Sequence, residues 1–268
     1  MAKPEQISSA ANPLVKSLRR AIARGSLTED GLCVAESFHL LEEALRSDCA
    51  VKTVLAARSV QSAVEAHVRR LHGMRIAVLP DALFQNLAGT ETSQGVIALV
   101  EPPSWAIEQL FRGASLVLVL DGVQDPGNAG TMVRAAEAFG ATGVMFLKGS
   151  VSPFNPKTLR ASAGSLFRVP FVASLDIELA RAAFKQNKLE VYAGVPYSGQ
   201  NHVKSVVHAD FTQKCAVIIG SEGRGVSERL HGSAIDLAIP TVSVESLNAA
   251  MAASVILYEA RRQRSLQP

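Results

Sequence analysis

Short apolar runs rich in β-branched residues alternate with segments of helical periodicity along almost the whole chain, and this alternation restricts the possible folds most. The strand candidates of the first half are residues 31–35, 51–56, 75–79 and 95–100. The helix candidates there are residues 13–24, 37–46 and 59–71. Strands that alternate with helices are typical of α/β folds, in which helices cover the faces of a sheet. The pattern therefore predicts an α/β protein.

A second α/β region follows a proline pair at 102 and 103, which fixes two backbone φ angles and suits a connection between domains. Residues 115–120 then form an unbroken apolar run, as expected of a parallel strand covered on both faces. Further strand candidates are residues 143–147, 190–193, 216–220 and 235–239. Further helix candidates are residues 129–139, 177–186, 227–231 and 247–264. Because 268 residues are long for one domain, we predict three parts: an N-terminal domain (1–101), a linker (102–114) and a mostly parallel C-terminal sheet with helices on both faces (115–268).

Composition excludes several classes of protein. Hydrophobic residues make up 48% of the chain and charged residues 19%, which is the balance of a packed globular protein. The start of the chain lacks a signal-peptide core, and no apolar stretch is long enough to span a membrane, so we expect a cytoplasmic protein. Cys33, Cys49 and Cys215 have no CxxC or Cys/His pairing, which predicts buried thiols rather than a disulfide framework or a metal site.

Basic residues concentrate near the N-terminus, although the net charge of +3 is modest. On a helix over residues 13–24, the basic side chains follow i, i+3, i+4, i+8 spacing and lie on one face. These residues are Lys16, Arg19, Arg20 and Arg24. Such a face can contact the phosphates of a nucleic acid. It can equally be a solvated helix face, because exposed basic faces are common.

The first polar constellation follows the 115–120 run. The sequence is Asp121-Gly-Val-Gln-Asp-Pro-Gly-Asn128, and Arg134 comes six residues later. In open α/β sheets, ligands bind in loops outside the carboxyl ends of the strands. Asn128 and Arg134 are therefore candidates for a functional site. The alternative is that residues 125–128 only form a turn and a helix cap.

The second constellation is a glycine-rich loop after the 216–220 run, Gly220-Ser-Glu-Gly-Arg-Gly-Val-Ser227. Its glycines let a ligand approach the backbone and leave amide donors free, while Glu222 supplies a fixed negative charge. The loop lacks the Lys-Ser/Thr ending of a Walker loop, and it is not a GxGxxG dinucleotide turn. By itself it indicates an anion- or nucleotide-binding loop.

The third constellation is Ile239-Pro-Thr-Val-Ser-Val-Glu-Ser-Leu-Asn248, which precedes the apolar final helix. Pro240 ends the strand, and Ser246 and Asn248 place two short polar side chains where the helix begins. As an isolated cap, Ser246 would need no function. Three such loops in order on one sheet favour a shared site.

In order and content, these segments resemble motifs one, two and three of the SpoU (TrmH) family of RNA ribose methyltransferases, within the SPOUT superfamily. The stretch NPKTLRASAGS at residues 155–165 is also typical of that family. The first half is similar to the family's accessory RNA-binding domain, a small ribosomal-protein-like α/β domain, at residues 7–16 and 94–96. Each motif alone is modestly specific, but three in order are highly specific.

The resemblance implies a deep trefoil knot, a homodimer, an RNA partner and S-adenosylmethionine as cofactor. The cofactor residues that it implies are Gly220, Glu222, Gly223, Ile239 and Leu247. The methyl-transfer residues that it implies are Asn128, Arg134, Ser246 and Asn248. The chain departs from many relatives where it has Thr241-Val-Ser243 and Asn248-Ala-Ala250, and its 240–246 loop is one residue shorter. These departures concern the cofactor loop rather than the class of enzyme.

Arg134 is the main catalytic candidate for such a transfer. A guanidinium stays protonated, so we expect Arg134 to stabilise the developing alkoxide or to hold the adjacent phosphate, although this arginine is often described as a base. With only 5% aromatic residues, RNA recognition should rely on shape and phosphate contacts. The accessory domain favours 23S ribosomal RNA. A transfer RNA 2′-O-methyltransferase, and a non-catalytic RNA-binding or ribosome-assembly protein with this fold, stay open as alternatives.

Overall fold

The computed structural model describes residues 4–69, 74–90, 92–197 and 203–266. The chain divides into two compact units. The N-terminal unit comprises Met1–Ser104 and Phe154–Phe167, and the C-terminal unit comprises Trp105–Pro153 and Arg168–Pro268. Residues 154–167 fall in the second domain predicted from the sequence, but in the structure they belong to the N-terminal unit.

The elements of the first half are, in chain order, β1 Glu5–Gln6, α1 Pro13–Arg24, β2 Cys33–Glu36, α2 Phe38–Arg46, β3 Val51–Ala57, α3 Gln61–Val68, β4 Arg75–Leu79, α4 Asp81–Gln85 and β5 Val96–Val100. Those of the second half are β6 Leu116–Asp121, α5 Pro126–Ala138, β7 Gly143–Leu147, α6 Pro156–Ala161, β8 Phe171–Leu175, α7 Ile177–Gln186, β9 Glu190–Gly194, β10 Lys204–Ser205, β11 Cys215–Gly220, α8 Glu228–His231, β12 Ile235–Ala238 and α9 Ala249–Ser265.

Most of the predicted elements are present with shifts of a few residues at their ends. The helix predicted over 59–71 begins as a 3-10 turn at Arg58–Val60 and continues as α3, and residues 70 and 71 of that prediction lie outside the described residues. The prediction missed five short elements. They are β1, α4, α6, β8 and β10. These elements span two to six residues.

The N-terminal unit is built on a mixed five-stranded sheet in the order β1-β4-β3-β5-β2. Neighbours β1, β4 and β3 are parallel, and β5 pairs antiparallel with both β3 and β2. Helix α1 packs against this sheet through buried Val15 and Leu18. Its ends are encoded locally: the Asn12 side chain accepts the Leu14 N–H, Pro13 opens the helix, and Gly25 ends it in the left-handed conformation.

Segment 154–167 is an integral part of the N-terminal unit. Helix α6 packs on β2, and its Leu159 is buried. Arg160 Nη1 donates to Glu36 Oε2 at 2.8 Å, and the Glu36 side chain is 4% exposed. Glu36 also accepts hydrogen bonds from the Gly89 N–H and the Thr90 hydroxyl. Because a buried carboxylate needs partners, this ion pair couples α6 to the end of β2.

The C-terminal unit is built on a seven-stranded sheet, all parallel, in the order β10-β12-β9-β11-β6-β7-β8. This confirms the predicted α/β class with a mostly parallel sheet. Every residue of β6 and β11, in the middle of the sheet, is buried. The chain runs from β6 outward through β7 to β8, and then continues with β9 on the other side of β11. The carboxyl ends of β6 and β11 therefore flank a switch point of the sheet, where ligands bind in open α/β folds. The trefoil knot stays a prediction.

Candidate active site

Side chains from all three polar constellations meet beyond the carboxyl ends of the central strands. Asn128 of α5 donates through Nδ2 to Glu222 Oε1 in the glycine loop. Its Oδ1 accepts a hydrogen bond from Asn248 Nδ2 at 3.1 Å. Glu222, Asn128 and Asn248 thus form one chain of hydrogen bonds, which we call the amide chain. Asn128 uses both ends of its amide group, so its orientation is fixed.

Local sequence holds the members of the amide chain in place. Asp125 is the N-cap of α5, and its Oδ1 accepts the Asn128 N–H at 2.6 Å. Asn248 is the N-cap of α9, and its Oδ1 accepts the N–H groups of Ala250 and Met251. Residues 125–128 therefore do form a helix cap, as the alternative interpretation predicted. A cap alone, however, does not explain the hydrogen bonds of the Asn128 side chain to the other two loops.

The glycine loop closes on itself. Ser221 and Gly225 exchange two backbone hydrogen bonds, at 3.2 and 2.9 Å. A Cβ atom on Gly220 would lie 2.0 Å from the carbonyl carbon of Gly225, so no larger residue fits there while the loop is closed. Gly225 has φ +66°, a conformation that glycine adopts without strain. The backbone shape of the loop therefore requires glycine at positions 220 and 225, independently of any ligand.

A cavity of about 570 Å³ opens beside this loop. All five predicted cofactor residues line it, as do Ser246 and Asn248 of the predicted transfer site. The remaining walls of the cavity were not predicted, and they are formed by Gly194, Val195, Pro196, Tyr197, Ile219, Ser221, Arg224, Gly225, Leu237, Thr241, Glu245, Ala249, Ala252 and Ile256. The loop after β9 could have been found, because 190–193 was a strand candidate and its carboxyl end lies at the same sheet edge.

Among the described residues, Asn128 and Arg134 lie outside the cavity lining. Asn128 reaches the site through the amide chain. Arg134 is an exposed residue of α5, two turns beyond the Asp125 cap. The charged side chains of the lining are Glu222, Arg224 and Glu245. Two carboxylates and one guanidinium give the cavity a formal charge of −1.

The predicted basic face lies on α1 in the N-terminal unit, and its side chains are all exposed. We call this face, formed by Lys16, Arg19, Arg20 and Arg24, the basic stripe. Arg20 forms an ion pair with Glu29, so part of its charge is compensated inside the unit. The stripe therefore presents basic groups to solvent.

The described residues contain no group of three or more metal-ligating side chains. In the same part of the chain, no helix is both long and apolar enough to cross a membrane. Cys33 and Cys215 are buried, but Cys49 is only half-buried, which corrects the prediction of three buried thiols. The loop position of Cys49 after α2 explains its partial exposure. Cytoplasmic location stays a prediction.

An all-parallel α/β sheet with three polar loops around one cavity at its switch point defines a ligand-binding domain of the enzyme type. The sequence model of the SpoU rRNA Methylase family matches residues 115–258, and that of the MRM3-like substrate binding domain matches residues 12–98. The chain belongs to the SpoU rRNA Methylase family.

Relatives and solved structures agree with this assignment. The chain is 32% identical to the 23S rRNA (guanosine(2553)-2′-O)-methyltransferase RlmP of Bacillus subtilis, over 96% of this chain and 99% of the relative. The SpoU methyltransferase AviRb of Streptomyces viridochromogenes matches with a TM-score of 0.81 and 26% identity, over 95% of this chain and 98% of that chain. The AdoMet-bound rRNA methyltransferase of Sinorhizobium meliloti matches with a TM-score of 0.79 and 26% identity, over 98% and 99%.

Proposed function

We propose that the chain transfers a methyl group from S-adenosylmethionine to a ribose 2′-hydroxyl of 23S ribosomal RNA. The observation that carries the proposal is the amide chain, which joins Glu222, Asn128 and Asn248 from three loops beside one cavity. The names of the relatives support the ribosomal substrate, since RlmP of Bacillus subtilis is a 23S rRNA 2′-O-methyltransferase.

The cavity fits S-adenosylmethionine in size and charge. A volume of about 570 Å³ lies within the ~300–1,000 Å³ range of small-ligand sites. The cofactor carries a sulfonium, an ammonium and a carboxylate, and so has a net charge of +1, opposite to the lining. Gly220, Ile239 and Leu247 would hold it largely through backbone groups, with Glu222 close by. When bound, it supplies an electrophilic methyl group on sulfur.

The side chains around the cavity would align the ribose and help its hydroxyl to react. Asn128, Ser246 and Asn248 orient the reacting groups, and the fixed amide of Asn128 makes that orientation reproducible. The exposed guanidinium of Arg134 stabilises the developing alkoxide or holds the phosphate next to the target ribose.

We propose that residues 1–101 bind the RNA substrate through the basic stripe of α1. Phosphate contacts position RNA and make its binding depend on salt. Neutralising Arg19 and Arg20 together should weaken RNA binding and flatten its salt dependence, with turnover at saturating RNA unchanged. Because Arg20 is paired with Glu29, Arg19→Gln alone should account for most of the loss. Binding isotherms at several salt concentrations test this.

We also propose a homodimer that covers the outer face of α9. Met251, Val255 and Tyr258 are 58%, 40% and 57% exposed on this helix, and such a set of large apolar side chains favours an interface. Ile256 of the same helix is instead buried and lines the cavity. Light scattering at micromolar concentration should give twice the mass of the chain, and a monomer would count against the dimer.

Mass-spectrometric mapping of 2′-O-methyl sites in RNA from cells with and without the gene tests the proposed activity. We expect one 23S site to lose its methyl group and to regain it with the wild-type gene. Calorimetry should show one S-adenosylmethionine site per chain. Unchanged RNA methylation, together with no cofactor binding in the presence of RNA, would remove the enzyme proposal and leave an RNA-binding protein.

A further inference from the structure

Asp121 is a buried carboxylate next to the candidate site, and it has no role in the proposed reaction. It is the last residue of β6 and is 7% exposed. Among the described residues it lies outside the cavity lining. Its neighbours are rigidly held: the Gly122 N–H donates to Ser150 Oγ at 3.0 Å, and Ser150 Oγ donates to the Leu120 carbonyl at 2.9 Å. Asp121 therefore projects from a fixed point of the sheet.

Both ends of the glycine loop lie next to this residue. At the start of the loop, Gly220 is the register partner of Asp121 in the β6–β11 pair. At its end, the Ser227 N–H donates to Asp121 Oδ2 at 2.7 Å. Between these points the backbone closes through the paired Ser221 and Gly225. Asp121 thus spans the base of a loop whose inner side forms one wall of the cavity.

We propose that Asp121 is a positioning residue that keeps the glycine loop in the closed form required for cofactor binding. This inference rests on the proposed function, since it takes the cavity as the S-adenosylmethionine site. The Ser227 N–H would otherwise be a backbone donor at the end of a loop, and a carboxylate is a stronger acceptor for it than a neutral group. If the loop is already closed before the cofactor binds, binding does not have to order it. The entropic cost of binding is then smaller and the affinity is higher.

The carboxylate, and not merely the volume of the side chain, carries the effect. Asp121→Asn keeps the shape and one acceptor oxygen but loses the charge, whereas Asp121→Ala removes the acceptor. We expect the dissociation constant of S-adenosylmethionine to rise ~3- to 10-fold in the Asn variant and ~10- to 100-fold in the Ala variant. Turnover at saturating cofactor should fall much less, because bound cofactor keeps the loop closed.

The experiment combines calorimetry with amide hydrogen exchange of residues 225–227, measured on the full chain well below its unfolding temperature. Asp121→Ala should accelerate exchange at Ser227 ~10-fold or more without cofactor, and Asp121→Asn should restore part of the protection. Asp176→Asn is the control, since Asp176 also accepts a backbone N–H, that of Glu178, in the same unit and lies outside the lining. It should leave both measurements within twofold of wild type.

The outcomes separate the two proposals. A folded Asp121→Ala variant with wild-type cofactor affinity and wild-type exchange at Ser227 would overturn the positioning role. If Asp121→Ala does not fold, the same two measurements on Asp121→Asn decide the question. A wild-type chain that fails to bind S-adenosylmethionine overturns the proposed function, and in that case the exchange rate at Ser227 still decides whether Asp121 holds the loop.

Discussion

Single side chains at the site are held by more than one hydrogen bond. Asn248 donates to Asn128 through Nδ2 while its Oδ1 caps α9. Asn128 in turn accepts from Asn248 and donates to Glu222. An amide engaged at both ends cannot flip without losing two bonds, so the amide chain presents a fixed pattern of donors and acceptors. Such pre-organisation is what a transfer reaction needs from groups that take no part in bond making.

Arg134→Ala should reduce turnover by ~100-fold or more, because Arg134 acts on charge that develops only during transfer. Its exposed position predicts wild-type unfolding temperature and nearly wild-type cofactor affinity. Arg134→Lys should not restore activity, since an ammonium cannot reproduce a planar two-pronged contact. Single-turnover methylation assays test this, with Arg181→Ala on exposed α7 surface as the control. Wild-type turnover in Arg134→Ala would show that the residue is misassigned.

The three thiols should differ in reactivity. Burial raises the pKa of Cys33 to about 12 and that of Cys215 to about 11. A raised pKa keeps a thiol protonated and unreactive at pH 8, since only the thiolate reacts. Half-buried Cys49 should therefore react first with Ellman's reagent, and the other two only in denaturant. Rapid reaction of all three thiols in the native protein would contradict the structure.

Helix α9 contributes residues to the amide chain, to the cavity lining and to a contact with the opposite end of the sheet. Its N-cap supplies Asn248 to the amide chain, its middle turns line the cavity through Ala252 and Ile256, and its last turn carries Arg264. The Arg264 guanidinium donates to the carbonyls of Ala114, Ser115, Phe211 and Gln213, near the amino ends of β6 and β11. One planar group thus ties the end of the helix to the edge of the sheet opposite the site.

Arg264→Ala should lower the free energy of unfolding by about 2–3 kcal/mol, because several carbonyls lose a charged donor at once. Arg264→Lys should recover only part of this, since one ammonium cannot reach all four carbonyls. Arg261→Ala is the matched control: Arg261 is an exposed arginine of the same helix, and its removal should cost less than ~1 kcal/mol. Urea unfolding measures the three variants. Equal losses for Arg264→Ala and Arg261→Ala would show that the four carbonyl contacts of Arg264 do not stabilise the fold.

At the scale of the whole molecule, the chain passes from one compact unit to the other three times. The chain leaves the N-terminal unit after residue 104, returns for residues 154–167 and leaves again. The returning segment fills part of the N-terminal unit with buried Thr158 and Leu159 and with the Arg160–Glu36 ion pair. Residues 1–101 are consequently not a complete structural unit without it.

Arg160→Ala should destabilise the N-terminal unit by about 2–3 kcal/mol, because it leaves the buried Glu36 carboxylate without its cationic partner. Hydrogen exchange should accelerate in β2 and β5, more than 60 positions earlier in the sequence. Lys157→Ala, on the exposed side of the same helix, should change neither quantity. If exchange rises instead only within the C-terminal unit, segment 154–167 belongs there.

The α/β class, most of the elements and the three loops that carry the site could be predicted from the amino-acid sequence. Hydrophobic periodicity, helix caps and glycines are local signals, and they predicted α1 and α7 with their observed bounds. The same signals identified Gly220 and Asn248 as candidate site residues. Which of these residues form hydrogen bonds with one another depends on the tertiary structure. Asn128 bonds to groups 94 and 120 positions away, Asp121 to one 106 positions away, and Arg160 of α6 to Glu36, 124 positions away in the same unit. These contacts depend on the order of the strands, and local periodicity does not encode that order because the same strands could pair in several orders.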